Sequence, residues 1–170
     1  GLGLGLVDAA LAVEVMGQGA APGPYIGQMV TALALARTDD STARDDLLAG
    51  VVSGERVATF AFGGDWLPET WNVAESGGCF SGPVRFGQAA GAADLFLVGL
   101  QGGGLALVNS GDGGVVEAVK STDRTRRLAT VSFNKAAGVI LFQPGDDRVG
   151  ALFDASLALL AADSLGGAQH

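Results

Sequence analysis

The stretch Gly54 to Trp66, GERVATFAFGGDW, is an alternating extended run that ends in two glycines, an acid and a tryptophan. Paired glycines after a strand remove two Cβ atoms. The backbone there can accept a phosphate, a flat ring, or nothing beyond a turn. Other residues with chemical potential are few. Asp123 to Arg127, DRTRR, is the one basic cluster; it could grip an anion, but a solvated turn entering the next strand is the preferred reading. Cys79 lies between Gly78 and Phe80 with no base near it along the chain, and it reads as a small strand residue. His170 is the only histidine and the last residue of the sequence, which leaves no Ser-His or Cys-His pair and no cluster to hold zinc. Gly1-Leu2-Gly3-Leu4-Gly5 lacks the preceding strand and the third glycine of a dinucleotide loop, and no phosphate loop ending in Gly-Lys-Ser or Gly-Lys-Thr occurs. Trp66, Trp71, Phe60, Phe62 and Phe86 either form a platform for a flat ring or belong to a core.

Composition narrows the classes of protein that could use these residues. With 170 residues, 48% of them hydrophobic, the chain can bury a substantial core. A net charge of −8, from ten Lys and Arg against eighteen acids, argues against nucleic acid as a partner. One cysteine excludes an internal disulfide framework and fits a reducing compartment. Asp8, Glu14, Asp154 and Asp163 interrupt the apolar runs before they reach the ~20 residues of a membrane span. The chain reads as soluble and as an excerpt of a longer protein.

The elements that must position the candidate residues fall into three parts. Residues 1–53 are helical: Leu6, Ala10, Val13 and Met16 recur at helical spacing, Pro22-Gly23-Pro24 punctuates, a second helix runs from Tyr25 to Ala36, and Ser41 caps a third with Leu47, Leu48 and Val51 as its stripe. Residues 54–148 change to short extended runs, RVATFAF, CFSGPVRF, ADLFLVGL, GLALVNS, VVEAVK, RRLATVSF and GVILF, which predict an antiparallel barrel. Residues 149–170 return to a helix with Leu152, Ala155, Leu159 and Ala162 on one face. The fold class is α+β, with partial helical domains on either side of a β-barrel domain. Leu152, Leu159, Leu160 and Leu165 give the last helix more apolar surface than a terminal helix leaves in water, so it is expected to pack in a bundle.

The order of these parts, together with GLGLGLVDAALAVEVMGQG, PGPY, SGERVATFAF, FSGPVRFGQAAGAADLFLV, DRTRRLATVSF and ALLAADSLGGAQ, resembles the acyl-CoA dehydrogenase family over nearly the whole chain. The resemblance implies FAD as cofactor, an acyl-CoA thioester as substrate, removal of hydrogens from Cα and Cβ of that thioester, a tetrameric homo- or hetero-oligomer, and a cytoplasmic location. It places Gly63 and Gly64 where the family carries the Thr and Glu of a Thr-Glu-Pro turn that touches the flavin, directly after Phe62. The run Val84-Arg85-Phe86-Gly87-Gln88 matches the family's Lys-x-Trp-Ile-Thr, with Phe86 at the Trp position and Gln88 at the Thr position. Phe62, Gly63, Gly64, Phe86 and Gln88 are thus the candidate flavin contacts. The family's Gly-Ser-Asp is not recognisable in Asp65 to Thr70, and its catalytic glutamate belongs to a C-terminal domain that this sequence does not contain. Two functions follow from the resemblance: part of an active flavoenzyme, or a degenerate partner chain of a heteromeric dehydrogenase of the kind found in bacterial sterol side-chain degradation. A β-barrel binding module with helical caps is a third.

Overall fold

Three helices open the chain, a seven-stranded sheet follows and a long helix packs back onto the first two; a computed structural model describes residues 4–39, 41–62, 67–123 and 125–169. Helix α1 (Leu6–Gln18) starts where Asp8 Oδ2 accepts a hydrogen bond from Gly5 N at 2.8 Å. Its expected stripe is only partly inside, since Val13 is buried and Leu6 is exposed. Helix α2 (Tyr25–Arg37) follows the Pro-Gly-Pro bend and buries Ile26, Val30, Ala34 and Leu35. Helix α3 (Thr42–Ser53) has the cap that its sequence predicts: Ser41 Oγ accepts from Arg44 N at 3.1 Å, and Gly54 ends the helix at φ +79°. Gln28 ties this layer to the sheet. Its Nε2 donates to Val51 O and Arg56 O at 2.6 and 2.7 Å, and its Oε1 accepts from Ala58 N at 2.7 Å, so one amide joins α2, α3 and the first strand.

The strands are β1 (Ala58–Ala61), β2 (Ala74–Ser76), β3 (Cys79–Gln88), β4 (Leu95–Gly99), β5 (Leu105–Asn109), β6 (Gly114–Val119) and β7 (Leu128–Phe142). They pair in the order β1-β4-β5-β7-β3-β2, with β6 on β7. Alternate residues face two cores. In β4, Leu95 and Leu97 face the helices, whereas Phe96 and Val98 face the inside of the curled sheet with Val108, Val131 and Phe133. Burial on both faces explains why this strand reads as an unbroken apolar run.

Three expectations change here. The sheet is antiparallel except that β1 pairs with β4 in parallel, and among the described residues it does not close into a barrel. Across the opening, Thr59 Oγ1 of β1 donates to Gln88 O of β3 at 2.7 Å, and an isolated parallel bridge joins Val73, just before β2, to Leu100, just after β4. The runs RRLATVSF and GVILF are one strand, because Lys135 takes φ +52° and the chain bends without leaving the ladder. Its first half pairs with β3 and β6, and its last residues pair with β5. Strand β2, three exposed residues, has too little pattern to be read from sequence.

Helix α4 (Asp147–Ala168) is capped by Asp146, whose carboxylate accepts from Arg148 N at 2.9 Å. Val149, Leu152, Ala155 and Leu159 are buried, and α4 lies on α1 and α2. Its 22 residues are long and apolar enough to cross a membrane by composition; here Val149, Leu152 and Leu159 join the core between helices and sheet, while Leu157 and Leu165 stay exposed. The approach to α1 is close. A Cβ on Gly17 would collide with the Asp163 carbonyl, and one on Gly166 would strike the Glu14 carbonyl.

Candidate functional site

The candidate flavin contacts lie on two neighbouring segments, the end of β1 and the end of β3. Phe62 follows β1 on the face that meets the helices. Its ring lies 5.3 Å from Phe60 and 5.1 Å from Trp71, stacked within 19° and 25°, and 6.5 Å from Phe153 of α4. Trp71 meets Phe153 edge-on at 6.4 Å. Trp71 also fills the place where Gly99 has no Cβ, since a Cβ there would lie 2.7 Å from Trp71 Cγ. Phe62 is therefore buried among three rings. Gly63 and Gly64, like Trp66, lie outside the described residues. Phe86 belongs to β3 by its backbone, inside the irregular register between Val84 and Gly87; its side chain is not among the described ones.

Gln88 is placed differently. Its carbonyl is held by Thr59, its backbone pairs with Leu128, and it lines a cavity of about 900 Å³. Pro22, Gly23 and Pro24 form one wall; Gln88, Ala89 and Ala92, with Val116, Ala118, Thr125 and the residues from Arg127 to Ala129, contribute the rest. The lining is mostly small and apolar. Among the described residues the Gln88 amide and the exposed Arg127 guanidinium have no hydrogen-bond or ion-pair partner. No carboxylate and no histidine among the described residues lines the cavity. A slot of this kind accommodates a flat ring against small residues, an amide that both donates and accepts at the ring edge, and an anionic group near the guanidinium. It offers no base. Elsewhere, Trp71 Nε1 and Thr31 Oγ1 are buried without partners.

Beside this cavity the basic cluster is not a solvated turn throughout. Arg126 Nη2 lies 2.7 and 2.8 Å from the two carboxylate oxygens of Asp163, Nη1 donates to Ala21 O at 2.7 Å, and the guanidinium carbon lies 5.6 Å from the Tyr25 ring centroid. Tyr25 donates to Asp163 Oδ1 at 2.6 Å and accepts from Arg126 Nη2 at 3.0 Å. Burial, then the bond to Asp163, pushes the Tyr25 hydroxyl up to about 12. Desolvation alone would lower the Arg126 guanidinium, but the bond to Asp163 and its charge hold it above its ordinary value. The spacing hid this cluster, because its members stand 37 and 101 residues apart. The available signals were an Asp among apolar residues near the end of the last helix and a Tyr directly after Pro-Gly-Pro. Cys79 is a half-buried residue at the start of β3, as its setting predicts.

Helices on one side of a curled, mainly antiparallel sheet, with a long helix returning across both, define a class of fold, and known structures share it. No protein-family model matches the sequence, and no curated protein does. A variant of the Tcur3481-Tcur3483 steroid ACAD superposes on 98% of this chain with a TM-score of 0.80 at 26% identity. The ChsE4-ChsE5 complex from Mycobacterium tuberculosis does so on 98% with a TM-score of 0.80, also at 26% identity. A glutaryl-coenzyme A dehydrogenase in complex with glutaryl-CoA matches 99% with a TM-score of 0.81 at 16% identity, which speaks for the fold. The chain has the acyl-CoA dehydrogenase fold. It spans about half the length of these structures, 47%, 48% and 50% respectively.

Proposed function

We propose that this chain forms the flavin-facing part of an FAD-dependent acyl-CoA dehydrogenase that is inactive without the rest of the protein. The observation that carries this reading is the superposition on the steroid ACAD and on the ChsE4-ChsE5 complex across helices, sheet and returning helix together. FAD, when bound, supplies the acceptor for hydrogen removed from Cα and Cβ of an acyl-CoA thioester. The chain's own residues bind and orient. Gln88, fixed at its carbonyl by Thr59, would offer its amide to the ring edge, and Arg127 would meet an anionic group; by residue type, Gly63 and Gly64 would leave room for the ring and Phe86 would supply an aromatic surface. Phe62 acts one layer back, holding the end of β1 against Trp71 and α4. The α-proton is taken by a carboxylate from outside this chain segment, since none among the described residues lines the cavity. A homo- or hetero-oligomer fits the exposed apolar run Val7, Leu11 and Val15 on α1, which further protein would cover.

The test is flavin content of the full-length protein, purified with its partner chain where one is needed. Bound FAD is expected, with occupancy lowered by Gln88→Ala and more strongly by Gly63→Val. Flavin-free protein at every purification stage that also fails to take up added FAD would sink the reading. A non-catalytic partner chain is the second reading, favoured by glycines where the family has Thr and Glu. Full acyl-CoA turnover by a complex in which Gly63→Val has emptied this chain's site would select it.

A further inference from the structure

The cavity beside Gln88 has walls from two different layers, and one side chain reaches behind both. Pro22, Gly23 and Pro24 come from the link between α1 and α2, whereas Thr125 and Arg127 come from the connection between β6 and β7. Arg126 grips the residues on either side of the Pro-Gly-Pro wall, Ala21 through its carbonyl at 2.7 Å and Tyr25 through its hydroxyl at 3.0 Å. The same guanidinium is anchored on α4 by Asp163, with the two side chains only 18% and 13% exposed. The connection between β6 and β7 organises itself locally, with Asp123 Oδ1 accepting from Thr125 N and Oγ1 at 2.8 and 2.7 Å. Among the described residues, no hydrogen bond other than those of Arg126 joins residues 120–127 to the helical layer.

We propose that Arg126 is a positioning residue that sets the separation of the two cavity walls, and that ligand affinity depends on it through Pro22 to Pro24 and Arg127, without contact from Arg126 itself. The planar guanidinium suits the task because its forked donors fix three elements in one geometry, which a lysine cannot reproduce. The ligand side of the proposal rests on the FAD reading above; the geometric side does not.

The experiment uses the full-length protein with Cys79→Ser and spin labels at Gln18→Cys and Thr122→Cys, exposed positions on the two sides of the clamp. One narrow distance distribution is expected, broadened and lengthened by Asp163→Asn and less so by Arg126→Lys and Tyr25→Phe. In parallel, FAD titrated into the apo-protein should bind about tenfold more weakly in Asp163→Asn, because only a fraction of molecules holds the walls at the competent spacing. An unchanged distance distribution in all three variants overturns the clamp. A changed distribution with unchanged FAD affinity overturns the link to the cavity. If the unmutated protein binds no FAD, the affinity half falls with the flavin reading while the label distances still judge the geometry. Should Asp163→Asn fail to fold, Tyr25→Phe and Arg126→Lys carry both measurements.

Discussion

Helix α4 is joined to the sheet domain at two places by opposite means. Near its first turns, Phe153 meets Phe62 and Trp71 in a dry aromatic contact. Near its last turns, Asp163 meets Arg126 and Tyr25 in an ionic and hydrogen-bonded one. Burying rings is strong but nearly indifferent to a small slide or rotation. An ion pair in which one guanidinium nitrogen meets both carboxylate oxygens, with Tyr25 as a third partner, contributes less net free energy and tolerates little misplacement. The aromatic end thus supplies stability, and the polar end fixes where the helices stand over the cavity.

The largest effect should come from breaking the aromatic end. Trp71→Ala removes the ring that Phe62 and Phe153 share and leaves a hole against Gly99, at a cost of about 3–5 kcal/mol. Chemical denaturation should show that loss with folded-state label distances at the clamp unchanged. Breaking the polar end should cost less. Asp163→Asn leaves the Arg126 charge half-desolvated beside Tyr25, for about 2 kcal/mol. Equal losses at the two ends would remove the distinction between them.

Alkaline pH offers a gentler probe of the polar end. The Tyr25 hydroxyl ionises near 12 when folded and at its ordinary 10.0 when unfolded, so the folded state favours the neutral form. Its contribution is fully present below 10 and is lost as pH rises through 12. The melting temperature should fall across that window, and Tyr25→Phe should flatten the fall. Identical profiles for the two proteins would mean that the hydroxyl is not held in this network.

How much of this was legible in the sequence depends on whether the signal was local. Ser41, Gly54 and the Pro-Gly-Pro bend act on their own neighbours, and they placed the helices correctly. The extended apolar run of β4 was legible as a strand, but its burial on both faces emerged only from the fold. The single strand β7 was hidden because its bend uses Lys135 at positive φ, a residue that carries no turn signal. The parallel pairing of β1 with β4 depends on which edge a returning strand meets, and no residue type marks it. At the site, the family resemblance led to Gln88, which lines the cavity, and to Phe62, whose ring is spent on the core. Arg126 was read as loop because its partners come from remote segments.

The smallest expected effect concerns a polar atom on the apolar side of the comparison. Thr31 lies one turn along α2 from Gly27, the residue that lets the helix rest on β1 with a would-be Cβ 2.7 Å from Thr59 Cα. Its hydroxyl is buried and meets no hydrogen-bond partner among the described residues. An unsatisfied buried hydroxyl opposes folding, whereas a methyl in the same branched shape would not. Thr31→Val should therefore stabilise the apo-protein by about 1 kcal/mol, read as a higher denaturation midpoint at unchanged denaturant slope. The flavin-loaded protein sharpens the point. If the hydroxyl is idle, the gain should persist with ligand bound; if it serves a bound group, the gain should shrink or reverse because ligand binding itself stabilises the folded state and the variant would weaken it. A destabilised apo-protein would show that the hydroxyl already has a partner in the intact molecule, and that the apolar side is less dry than the contacts of Phe62 and Trp71 imply.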